Sequence, residues 1–228
     1  MQTQNKKHIP LYCLFLVFLG SIFTGLTYVI LPSFRVQLGS KFPTGFIVYG
    51  ICISLAVAIV VALIKIRGWK MRDIGFKKPS RKMILMGVLC VPLAVFVIYP
   101  MSMLINKALG VQMRGMDFTI NSFGDAMVAI FICAVIIPMV EEILFRGFLI
   151  KVAQQKIKNR WLVGALAIFC FSLVHIPYFG IGGMIFITFW AVIPVSLFIY
   201  YDNIYPSYVM HALNNLSAYF IIPFLLRG

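Results

Sequence analysis

The chain has 228 residues, of which 62% are hydrophobic and 11% charged, with a formal net charge of +14 and a mean hydropathy of +0.99. A soluble domain averages about 25% charged residues, so a water-soluble globule is excluded and the bilayer is the expected solvent for most of the chain. Its five cysteines (Cys13, Cys52, Cys90, Cys133 and Cys170) fall far apart in apolar segments without a CxxC. That spacing gives neither a disulfide framework nor a thiolate metal site.

In chain order, the apolar runs predict seven helices: Ile9–Leu31, Gly45–Ile64, Met83–Ile105, Ala126–Ile150, Trp161–Ile176, Met184–Tyr201 and Ser207–Leu226. The fold class is therefore all-α, a polytopic membrane helical bundle of about seven transmembrane helices. An eighth membrane segment follows if the glycine-rich PYFGIGG after the short fifth helix is re-entrant. The whole of 1–228 reads as one membrane-embedded domain. The first apolar run is too long for a signal-peptide core and lacks a cleavage site, so it reads as an uncleaved span. Pro92, Pro138 and Pro194 sit within helices three, four and six and are expected to kink them.

Loop charges set the orientation. Two basic residues in the N-terminal tail (Lys6, Lys7), eight in 65–82 and four in 151–160 share one side. The opposite side has five: Arg35, Lys41, Lys107, Arg114 and Arg227. The positive-inside rule puts the N-terminus in the cytoplasm. The same bias accounts for the net charge, so no nucleic-acid partner is needed. The basic segment 65–82 is expected at anionic lipid headgroups, with Trp69 as an interface anchor.

The chain has six acidic residues, and its only two glutamates, Glu141 and Glu142, are adjacent in an apolar run, PMVEEILFRGFLI. A charge at mid-bilayer costs roughly 3 kcal/mol or more. Glu142 and Arg146 are four apart on one helical face and can pair. Glu141 lies about 100° round the helix from Glu142 and must look to other helices. His175 ends the fifth helix, and His211 and Asn215 share a face of the seventh. Counted from the cytoplasmic helix ends, Glu141, His175, His211 and Asn215 lie roughly 15, 21, 6 and 12 Å deep, so three helices can converge on one polar pocket.

A carboxylate beside a histidine can take a proton from water, and an imidazole with an amide can stabilise an oxyanion. Glu141, His175 and His211 can instead hold a divalent metal such as zinc that activates the water. HExxH, GxSxG and an intramembrane aspartate pair are all missing from the sequence. A binding protein that keeps the pocket for a peptide or sensor kinase, and a proton-coupled transporter, are the other classes open to such a site.

The three motifs EEILFR (Glu141, Glu142, Arg146), FSLVH (Phe171, His175) and HALNN (His211, Asn215) match in order and spacing the signature EExxxR, FxxxH, HxxxN. On these residues the chain resembles the CAAX prenyl protease and bacteriocin-processing or immunity family of intramembrane proteases, also called CPBP or Abi proteins, over approximately 126–220. The resemblance implies a glutamate-dependent endopeptidase acting on a peptide or membrane-associated protein in a bacterial cell membrane. It implies that Glu141 and His175 activate water, that His211 and Asn215 form the oxyanion site, and that Glu142 and Arg146 support the first glutamate. No cofactor is required by that mechanism.

Overall fold

The computed structural model describes residues 7–30, 44–114 and 123–221. Lys6, Arg35, Lys41, Arg227 and the predicted end of helix seven beyond 221 lie outside the described residues. Seven helical rods are present among the described residues, and no strand. They are α1 (11–30, its first half, Leu11–Phe18, a 3₁₀-helix), α2 (Thr44–Ile66), α3 (Arg81–Ala108), α4 (123–153), α5 (Arg160–Leu173), α6 (Ile176–Tyr201) and α7 (204–221). Among the described residues three stretches, Arg81–Ala108, Ala126–Ala153 and Ile176–Tyr201, are long and apolar enough to cross a membrane. The 14 residues of α5 span only about 21 Å, short of a hydrocarbon core of about 30 Å.

The outside of the bundle is greasy and part of its inside is charged. Phe96 is 75% exposed and Leu104 70%, whereas Glu142 and Arg146 are fully buried. A soluble monomer rarely exposes apolar patches on that scale, and a lipid-facing surface does so by design. The protein is an integral membrane protein.

Local chemistry starts the helices where polar residues interrupt the apolar runs. Ser80 caps α3 by accepting from the Met83 N–H at 3.3 Å. Asn159 caps α5 by accepting from Trp161 and Leu162, and Asn203 caps α7 by accepting from Tyr205. Each cap satisfies an N–H that the first helical turn leaves unpaired. α7 lies closely against α3: a Cβ on Gly87 would stand 2.6 Å from the Pro206 carbonyl oxygen.

The predicted proline sites have a more specific effect than kinks. Pro92 is followed by a π-helical stretch, Ala94–Ile98, and Pro138 is preceded by another, Phe131–Ile136. A proline supplies no N–H to the carbonyl four residues back, and a wider π turn is one way for the neighbouring backbone to adjust. A further π stretch, Ile143–Ile150, carries Arg146 itself.

Helix six begins earlier than the sequence suggests. PYFGIGG is drawn into α6 with a single non-helical residue, Gly180, at φ 68° and ψ −170°. That backbone region is open essentially to glycine alone. The break is held from outside by α3 and the loop after it. Asn106 donates to the Gly182 carbonyl at 3.1 Å, and the Arg114 N–H donates to the Phe179 carbonyl at 3.0 Å.

The basic segments meet at one end of the bundle. The Lys7 N–H donates to the Arg67 carbonyl, and the Trp69 indole N–H to the Lys7 carbonyl. Ile9 reaches Gln155, and Asn203 reaches the Lys77 carbonyl. Lys77 and Lys151 both pair with Asp202 in the α6–α7 turn.

Candidate active site

The site is assembled by α4, α5 and α7, with α6 closing its back. α4 brings Glu141 and Glu142 at the end of a short α-helical turn, Ile137–Glu142, set between the two π stretches. Arg146 places Nη1 3.1 Å from Glu142 Oε1, and both side chains are fully buried. Its guanidinium lies 4.3 Å from the centre of the Phe171 ring. Charge pairing and a ring face together hold this cation away from water.

His211 lies between the two carboxylates. Its Nδ1 is 2.9 Å from Glu142 Oε1 and its Nε2 is 3.5 Å from Glu141 Oε2. His175 does not end the fifth helix as expected but sits in the turn between α5 and α6, at the N-cap of α6; it places Nε2 3.7 Å from Glu141 Oε1, while its Nδ1 is 2.7 Å from the Phe171 carbonyl. A carbonyl only accepts, so Nδ1 of His175 carries the proton. When the ring is neutral, Nε2 is then a lone pair facing Glu141. Both imidazoles face Glu141, one at each carboxyl oxygen.

Asn215 turns elsewhere. Its amide donates to the Cys133 carbonyl at 3.0 Å, in the π stretch of α4. The sequence expectation had His211 and Asn215 aimed at one point. In the structure His211 engages the glutamates, and Asn215 ties α7 to α4 with one N–H and keeps the other.

Glu141, Glu142, Arg146, His175 and His211 thus come together within contact distance, from helices that are far apart in sequence. The side chain of His175 is 12% exposed, against 4% for His211 and 2% for Glu141. Access to the group is therefore from the side of His175, whose ring stacks on Phe179 at 5.9 Å.

Two residues at the site were not singled out from the sequence. Trp190 of α6 sets its ring 4.7 Å from that of His211 and 5.9 Å from Phe171, closing the back of the pocket. It is the one tryptophan placed mid-run rather than at a helix end, which was a usable signal. Ser207 is fully buried beside Glu142. Four residues before His211 and eight before Asn215, it lies on the same face of α7.

Among the described residues, no group of three His, Cys, Asp or Glu side chains is disposed to hold a metal ion. The set expected for one, Glu141, His175 and His211, has its two histidines on different oxygens of Glu141.

Residues 123–217, less than half of the chain, match the family model described as type II CAAX prenyl endopeptidase, Rce1-like. No curated protein and no solved structure matches the chain. The matched segment holds all three motifs and every charged side chain of the site. The matched segment of this chain is therefore similar to the Rce1-like type II CAAX prenyl endopeptidases.

Proposed function

We propose that the protein is an intramembrane endopeptidase that hydrolyses a peptide bond with a water activated by Glu141 and His175. The observation that carries this reading is the pair of acceptors, Glu141 Oε1 and His175 Nε2, facing each other at 3.7 Å. That is too long for a direct hydrogen bond. A water seated beside them can donate one proton to each.

In the mechanism, Glu141 takes one proton as the water oxygen attacks the scissile carbonyl carbon. The C–O bond forms and the carbonyl π electrons move to oxygen. The resulting oxyanion is met by N–H groups: the second amide N–H of Asn215, and Nε2 of His211 when that ring carries a proton on both nitrogens, since its Nδ1 already donates to Glu142 Oε1. The tetrahedral intermediate collapses by breaking the C–N bond, and Glu141 returns its proton to the departing amine. No step leaves a covalent enzyme intermediate. Glu142 and Arg146 hold His211 in place, and Trp190 and Phe171 wall it in.

The family match supports a substrate that is a peptide or protein delivered at the membrane. The cytoplasmic N-terminus rests on the loop-charge bias, the seven spans on the apolar runs, and the bacterial cell membrane on the family resemblance alone. The test is cleavage of a farnesylated CAAX-type peptide and of its unmodified counterpart by the detergent-purified protein. Wild type should cut at least one of them and Glu141→Gln neither. Equal cleavage by both proteins overturns the assignment of Glu141.

A further inference from the structure

A second polar site lies at the end of the bundle where the basic segments gather. A cleft of about 430 Å³ is lined by Trp69, Arg72, Asp73, Lys77, Lys151 and Asp202. It is assembled from three separate parts of the chain: the loop between α2 and α3, the end of α4, and the turn between α6 and α7. None of its residues belongs to the catalytic group.

Three cations and two carboxylates line it, an excess of one positive charge. The acids are already committed. Asp73 accepts from the Lys70 N–H at 2.8 Å across a helical turn. Asp202 holds Lys77 and Lys151 together, one on each oxygen. Two ammonium groups converging on one carboxylate present the donor geometry that also suits an anionic phosphate. Arg72 is exposed on the same wall and adds a planar fork of donors. Trp69, half-buried beside them, is the residue type that settles at headgroup depth.

We propose that this cleft binds an anionic phosphate group, with Arg72, Lys77 and Lys151 as its donors and Asp202 as an internal competitor for the two lysines. Both a lipid headgroup and free inorganic phosphate carry that chemistry. The cleft is independent of the protease reading and stands or falls without it.

Asp202 supplies a test whose sign is diagnostic. It sits in the left-handed region at φ 49° and ψ 41°, where asparagine is also well tolerated. Asp202→Asn therefore keeps the turn while removing the competing charge. The detergent-purified protein is titrated with short-chain phosphatidylglycerol, short-chain phosphatidylcholine or inorganic phosphate, and thermal unfolding is followed. Phosphatidylglycerol should raise the unfolding temperature saturably, and phosphatidylcholine should not. Asp202→Asn should tighten the midpoint by roughly fourfold or more, the size of one added unit charge a few ångströms away in water, and Arg72→Gln should weaken it. A shift with inorganic phosphate at similar concentration assigns the site to the free ion, and its absence assigns it to lipid. Equal shifts with both lipids, no shift with any probe, or weaker binding by Asp202→Asn overturns the proposal.

Discussion

The side-chain amide of Asn215 donates to the backbone carbonyl of Cys133 at 3.0 Å, which ties α7 to the π stretch of α4. This one contact gives Asn215 a structural duty beside its proposed chemical one, and the two differ in size. A side-chain hydrogen bond between membrane helices is worth about 0.6 kcal/mol on average. An oxyanion donor is worth roughly 100- to 1,000-fold in rate. Asn215→Ala should therefore lower the unfolding temperature slightly and turnover by two orders of magnitude or more, with substrate affinity retained. Turnover that falls only as far as the folded fraction would reduce Asn215 to a staple.

Glu142 and Arg146 should behave as a structural unit. Glu142→Gln leaves a fully buried guanidinium opposite a neutral amide and unties Nδ1 of His211. Breaking a buried pair from one side costs about 3–5 kcal/mol. Abundance and thermal stability should fall along with activity, whereas Glu141→Gln should remain close to wild type in both. Arg146→Lys should not rescue, because an ammonium lacks the flat face that lies on Phe171. Unfolding curves of the variants in detergent decide this. A stable Glu142→Gln protein would contradict it.

Asp202 should give the fold an acid-sensitive element outside the membrane. Burial alone would raise its carboxyl, but Lys151 and Lys77 pull it below its ordinary value of 3.8. A depressed carboxyl contributes stability that is present above the unfolded value and lost as pH falls through the folded one. The unfolding temperature of wild type should therefore drop more steeply below about pH 4 than that of Asp202→Asn. Because the carboxylate is 45% exposed, the difference should be small and should shrink with added salt. Parallel pH profiles for the two proteins would rule out the contribution.

Topology is open to direct labelling. Single cysteines at Lys78→Cys and Lys158→Cys, in a background lacking the native thiols, should react with a membrane-impermeant maleimide only after cells are opened. Reaction at both positions in intact cells would invert the orientation.

Parts of this site were legible because they depend on spacing within one helix. Glu142 with Arg146 follows from a four-residue step, as does the shared helix face of His211 and Asn215 but not a shared target, and helix positions followed from apolar runs. The convergence of His175 on Glu141 also followed, since both sit at similar depth. What the sequence hid arises between helices. The partner of Asn215 is a backbone carbonyl on α4, and no side-chain pattern announces a carbonyl. The early start of α6 depends on Asn106 and on the Arg114 backbone gripping a glycine-rich turn, which by composition alone reads as a break. Glu142 was assigned to Arg146 alone, and its second partner, His211, is 69 residues away in sequence.

The π stretch Phe131–Ile136 carries one more consequence. A π turn is an α-helix widened by about one extra residue, so it takes up that residue without turning the helix faces on either side of it. Removing one residue there, such as Ile132, would let the backbone close into ordinary α-helix without breaking the rod and without swinging the upstream face away from Glu141 and Glu142. The cost would fall on the turn itself, whose Cys133 carbonyl accepts from Asn215. A deletion that the rod absorbs would thus be felt at Asn215 and not at the glutamates.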